Sequence, residues 1–314
     1  MKLDETARGV FPIAPTPFAS DGAIDWTSVD RMVDFYAEVG ATGLTVLGVM
    51  GEAPKLDATE SAALAARFIR RAGALPVVVG VSAPGFAAMR ALAVSSMAAG
   101  AAGVMIAPPS TLRTDDAIVT YYRQAIEAIG ADVPVVVQDY PLTFTVVMTP
   151  GVIRRIVDEN PSCVMLKHED WPGLDKIATL RRWSDEGAMR RIAILCGNGG
   201  LFLDFEGERG ADGAMTGYAF PDMLVDVVRM GAAGQRDAAH DLFDAHLPLL
   251  RYEQQPGIGL AVRKYVMARR GIIAADTQRK PGGTLDAAAR AEVEYLLARL
   301  ARRDPRAALA PALA

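Results

Sequence analysis

The chain has 314 residues, 51% of them hydrophobic and 22% charged, with a formal net charge of −4. That balance excludes an intrinsically disordered chain. A mildly acidic chain without a Lys/Arg block is not built primarily for nucleic acid, and no apolar run approaches the roughly 18 residues of a membrane helix. The first residues, MKLDETARGV, lack the apolar segment of a signal peptide, so a cytoplasmic protein with no membrane partner is expected. Cys163 and Cys196 are too few for a disulfide framework and sit in apolar runs, as buried thiols do. His168, His240 and His246 are too dispersed for a zinc site, so no metal is expected.

In chain order, short apolar runs alternate with longer helical patterns. Strand candidates fall at 11–18, 43–48, 76–81, 103–107, 134–138, 162–167, 192–196 and 212–215. Most are continuously apolar, as suits parallel strands buried on both faces. Helical spacing marks 26–39, 60–72 (opened by Thr59), 86–99, 115–129 (opened by Thr114), 150–159, 172–186, 199–209 and 221–231. Eight such alternations favour a closed (β/α)8 TIM barrel over a doubly wound sheet, whose Gly-rich phosphate turn is missing after the first strand. The barrel is expected to occupy 1–231. Residues 232–314 are expected to be a helical C-terminal extension packed on it, with helices at 235–250, 256–270 and 285–302 and a frayed end from 303.

Barrels of this class carry their reactive groups at the C-terminal ends of strands, so polar residues that end apolar runs are the candidates. Lys167 ends SCVMLK, where partial desolvation would make a neutral amine available as a nucleophile; the competing reading is a lysine reaching out to water. Glu169 lies two residues on and therefore on the same face, with His168 pointing the other way. It is a candidate general base or acid, or else one half of a rim ion pair. Around them, Gly48 and Gly51 flank Val49 and Met50 in LGVMGEAP, where backbone amides could approach an anion. Gln138 and Tyr140 share a face at the end of QDYP. In CGNGG, Gly197, Gly199 and Gly200 leave room for a ligand or begin the next helix tightly, and Asn198 is either a helix cap or a ligand contact, with the cap favoured. Thr216, just past the last strand candidate, completes the set of possible substrate contacts.

Taken together, TPF (16–18), the DGAID turn (21–25), GVMGEAP, IAPP (106–109), the lysine of VMLK and CGNGG resemble the dihydrodipicolinate synthase/N-acetylneuraminate lyase family over about residues 10–270. The resemblance implies a (β/α)8 barrel with a helical extension, usually tetrameric. It also implies a Schiff base between Lys167 and a 2-keto acid, without a metal or organic cofactor. The chain departs from the family's synthases and aldolases at their hydroxyl relay. The hydroxyl positions of G-T-T-G-E are Val49 and Met50, the tyrosine of Y-N-x-P is Gln138, the P-Y-Y turn is Pro109-Ser110-Thr111, and the synthase arginine aligns near Thr143. A lysine followed two residues later by glutamate instead looks like the family's sugar-acid dehydratase branch, most of all its L-2-keto-3-deoxyarabonate dehydratases. The expected reaction is dehydration of a 2-keto-3-deoxy sugar acid. Alternatives are an aldolase cleaving such an acid to pyruvate and an aldehyde, a hydroxy-pyrroline-carboxylate deaminase, and a binding barrel without catalysis.

Overall fold

The computed structural model describes residues 2–171 and 173–309. Its eight strands are β1 (Gly9–Val10), β2 (Leu44–Val46), β3 (Val77–Gly80), β4 (Gly103–Ile106), β5 (Val135–Asp139), β6 (Cys163–His168), β7 (Ala193–Cys196) and β8 (Gly213–Ala214). All pairings are parallel, in the order β1-β8-β7-β6-β5-β4-β3-β2. A parallel bridge from Ile13 to Thr45 joins the two ends. There the Ala14 N–H donates to the Thr45 carbonyl and the Thr45 N–H to that of Pro12, both at 2.9 Å. The architecture is a (β/α)8 TIM barrel.

The first strand, Gly9–Val10, lies just before the apolar run 11–18 expected to form it. Pro12, Pro15 and Pro17 have no N–H to give a ladder, so the run pairs only at intervals: the Phe11 N–H donates to the Ala214 carbonyl at 2.8 Å and the Ile13 N–H to that of Thr216 at 2.9 Å.

The helices are α1 (Trp26–Glu38), α2 (Ala58–Ala72), α3 (Phe86–Ala98), α4 (Asp115–Ile129), α5 (Pro141–Phe144), α6 (Pro150–Glu159), α7 (Leu174–Asp185), α8 (Leu203–Glu208), α9 (Pro221–Ala232), α10 (Arg236–Glu253), α11 (Gly259–Arg269) and α12 (Ala287–Leu300). Thr114 caps α4 as expected. The cap of α2 is Asp57, not Thr59: Asp57 and Glu60 form a reciprocal capping box, which satisfies two otherwise unpaired amides. The helix expected over 199–209 forms only from Leu203, because Gly199 and Gly200 have positive φ. The short α5 was not legible in the sequence; Pro141 supplies its first residue.

Two apolar layers hold the barrel. Phe11, Ile13, Val78, Met105, Val136, Met165, Leu195 and Met215 fill the interior, while a larger cluster lies between strands and helices. Each fully buried Val, Leu, Ile, Phe or Met side chain contributes roughly 1.5–3 kcal/mol. Beyond α9, α10 packs on α9, and both α11 and α12 pack on α10. The expected fraying is corrected in part. Asp304 caps a 3-10 turn at Pro305–Ala307, and Ala307 is buried; residues 310–314 lie outside the described residues. Among the described residues no helix is long and apolar enough to cross a membrane.

Candidate active site

Strand alternation turns Lys167 and Glu169 to one side and His168 to the other. His168 is buried outward, its Nδ1 3.0 Å from Glu206 Oε1. Lys167 lies level with Gln138 of β5 and Leu195 of β7. It does not reach out to water: it is 4% exposed, and its Nζ sits 2.9 Å from Glu169 Oε2.

Glu169 follows the last residue of β6, and its N–H still donates to the Asp139 carbonyl at 2.9 Å. Its carboxylate, also buried, has three partners. Besides Lys167, the Gln138 amide donates to Oε2 at 2.6 Å, and the Asn198 backbone N–H donates to Oε1 at 3.2 Å. Charge-assisted bonds of this kind are roughly twice as strong as neutral ones. Gly197 gives the side chain its space, since a Cβ there would lie 2.2 Å from Glu169 Cγ. Asn198 therefore corrects the helix-cap expectation. It adopts left-handed backbone (φ 48°); its N–H holds Glu169 and the residue lines the cavity.

Lys167 and Glu169 face a cavity of about 410 Å³, mouth included. Val49, Met50, Gln138, Tyr140, Asn198 and Thr216 line it, together with Ile13, Gly199, Gly217 and Gln254. The structure thus brings together all the candidates except Gly48, Gly197 and Gly200, which lie behind the wall. Gly48 precedes the 3-10 turn Val49–Gly51. The first amides of such a turn have no acceptor within it, so those of Val49 and Met50 are available to an anion. Tyr140 is held edge-on to Phe144, with ring centroids 6.2 Å apart. Its phenol is raised above the ordinary value by burial and then by the Glu169 charge. It is a neutral hydrogen-bonding group at neutral pH. Both cysteines are buried, as expected.

Gly199, expected with Gly197 and Gly200 to leave room for a ligand, lines the cavity. Sequence reasoning missed Ile13, Gly217 and Gln254. Ile13 lies in the first apolar run and Gly217 beside Thr216. Gln254 sits at the end of α10 in the extension, and nothing in its local sequence distinguishes it. A larger cavity of about 940 Å³ lies outside the barrel among α8, α9 and α10. It is remote from the strand C-terminal ends, where barrel chemistry is carried. Among the described residues no group of three or more His, Cys, Asp or Glu could hold a metal ion.

Residues 6–300 match the Dihydrodipicolinate synthetase family. The L-2-keto-3-deoxyarabonate dehydratase of Azospirillum brasilense is 31% identical over 312 residues, 95% of each chain. The 4-hydroxy-tetrahydrodipicolinate synthase of Thiobacillus denitrificans is 28% identical, over 78% of this chain and 81% of that one. A crystal structure described as dihydrodipicolinate synthase from Rhodopseudomonas palustris superposes with a TM-score of 0.94 at 68% identity, covering 95% of this chain and 99% of that chain. The barrel and these likenesses agree: the chain is a lyase-type barrel that belongs to the dihydrodipicolinate synthetase family.

Proposed function

We propose that this protein dehydrates a 2-keto-3-deoxy sugar acid through a Schiff base on Lys167, with L-2-keto-3-deoxyarabonate as substrate and 2-oxoglutarate semialdehyde as product. The observation that carries the reading is the placement of Glu169, whose Oε2 lies 2.9 Å from Lys167 Nζ in a buried cavity. The positions of the family's hydroxyl relay are taken by Val49, Met50 and Gln138. The glutamate is thus the acid–base group nearest the lysine, and Gln138 orients it. The likeness to the Azospirillum dehydratase supports the same branch. The Rhodopseudomonas protein is described as a synthase; in this chain the hydroxyls and the arginine that the resemblance assigns to synthases are replaced.

In the proposed reaction Glu169 takes a proton from the Lys167 ammonium, and the neutral amine attacks the C2 carbonyl. Loss of water leaves a protonated imine, and the amides of Val49 and Met50 hold the carboxylate. The imine is an electron sink, so Glu169 can remove a C3 proton and form an enamine. The enamine expels the C4 hydroxyl, which leaves as water with a proton from Glu169. A C5 proton is then lost, C3 is reprotonated, and hydrolysis frees the lysine and the keto acid. The resulting C4–C5 enol rearranges to the aldehyde, so the net change is loss of one water. The same reading carries a homotetramer, as the family resemblance implies, working in the cytoplasm.

Product analysis on a panel of 2-keto-3-deoxy acids tests the reaction. A semialdehyde is expected; pyruvate plus an aldehyde would mean carbon–carbon cleavage instead. Glu169→Gln should lower kcat by roughly 10²–10⁴-fold, the usual worth of a general acid–base group. Full activity in that variant would remove Glu169 from the mechanism.

A further inference from the structure

Three polar side chains of the cavity wall, Asn198, Thr216 and Gln254, make no side-chain hydrogen bond among the described residues. Gln254 is the one that the helical extension delivers. It follows Glu253, the last residue of α10, and the backbone there is clamped. Glu253 is buried and accepts from the Ala219 N–H at 3.1 Å. Gly259 at the start of α11 packs so closely that a Cβ would lie 2.2 Å from the Glu253 carbonyl oxygen. The Gln254 amide lies against Gly199: a Cβ at Gly199 would stand 2.2 Å from both its Cδ and its Nε2. Gly199 is thus required both for its left-handed backbone (φ 71°) and for the space it gives Gln254.

The wall therefore has an order. Lys167 is followed by Glu169, Glu169 by the Asn198 amide that holds it, and Asn198 by Gly199 with Gln254 upon it. A 2-keto acid attached at C2 to Lys167, with C3 and C4 at Glu169, would present its remaining carbons to Gln254. A primary amide offers two donors and one acceptor, the complement of a hydroxyl. Lys167 is the only cation among the lining residues. A further guanidinium, Arg263, lies behind Gly217 and faces the buried Glu253 carboxylate at 3.8 Å, so a second carboxylate on the substrate would have no counter-charge within the lining itself, and burying an unpaired charge is costly.

We infer that Gln254 reads the hydroxyl-bearing end of the substrate, and that the site selects 2-keto acids with a neutral, hydroxylated tail over dicarboxylates. This rests on the Lys167 reading above. The test compares the unaltered enzyme with Gln254→Leu and with Gln254→Glu, which retains the length and an acceptor. Both variants should lower kcat/KM for 2-keto-3-deoxypentonate about tenfold, the usual worth of a lost hydrogen bond in a closed site, while borohydride-trapped adduct with pyruvate, which has no tail, forms as before. In the unaltered enzyme 2-oxoglutarate should compete with pyruvate for trapping at least about tenfold less well than 2-oxopentanoate does. Unchanged kcat/KM in both variants, equal loss of the pyruvate adduct, or equal competition by the dicarboxylate would overturn the inference. Absence of any pyruvate adduct in the unaltered enzyme would instead remove the Lys167 reading, and this inference with it.

Discussion

Glu169 is fixed by groups from three different strand ends: Lys167 on β6, Gln138 on β5 and the Asn198 amide after β7. Gly197 leaves the space its side chain fills. Gly197 has negative φ (−112°), so an alanine meets its obstacle in the carboxylate rather than in the backbone. Gly197→Ala should therefore displace Glu169 and lower kcat on the order of 10²-fold, the effect of misplacing a catalytic group by about 1 Å. The pyruvate adduct should form more slowly as well, because Glu169 also frees the Lys167 amine, and an undiminished kcat would show that the position of Glu169 does not matter. At this scale the sequence was informative where alternation applies. Lys167, Glu169 and His168 point as a period of two requires. It was silent where a main-chain atom or a distant helix end is used. Asn198-Gly199-Gly200 signals a left-handed turn, but not that its N–H meets Glu169, and Gln254 enters the site only through packing of α10 against the barrel.

Among the elements, the strands were legible because both their faces are buried. Boundaries failed where backbone chemistry overrides apolar character, as with the prolines of 11–18 and the glycines after Asn198. The extension is tied down by a buried relay. His246 of α10 is fully buried; its Nδ1 lies 2.9 Å from the Tyr218 hydroxyl and its Nε2 2.8 Å from Asp304 Oδ2. Burial holds His246 below its ordinary value, so the neutral ring accepts from Tyr218 and donates to Asp304. Burial would raise the Asp304 carboxyl, but hydrogen bonds from Arg306 and His246 outweigh it and bring it down to about 2. A depressed carboxylate stabilises the fold above its unfolded value and loses that effect as pH falls through the folded one. Asp304→Asn should accordingly cost roughly 1.5–3 kcal/mol at neutral pH, the worth of hydrogen bonds to a charged group. The difference in denaturation midpoint between the two proteins should stay constant down to about pH 4 and shrink between about pH 4 and 2. A difference that does not change with pH over that range would mean that the carboxylate's charge contributes nothing.

At the scale of the whole molecule, a chain long enough for two ordinary domains forms one barrel with helices stacked beside α9. Its net charge of −4 says little about how an anionic substrate would be bound, because in the proposed reaction that falls locally to one buried lysine and the amides of one short turn. The extension also completes the cavity wall through Gln254. The fold was therefore readable from the alternation of apolar runs, and the juxtaposition of Lys167 and Glu169 from the K-H-E at and just past the end of β6. The far wall of the cavity was not, because it depends on contacts between residues far apart in the chain. The central claim is that Lys167 is the nucleophile. Incubation with pyruvate and borohydride, followed by peptide mapping by mass spectrometry, tests it most directly. The account predicts a single reduced pyruvyl adduct on the peptide containing Lys167, absent in Lys167→Met; no adduct, or an adduct on another lysine, would contradict it.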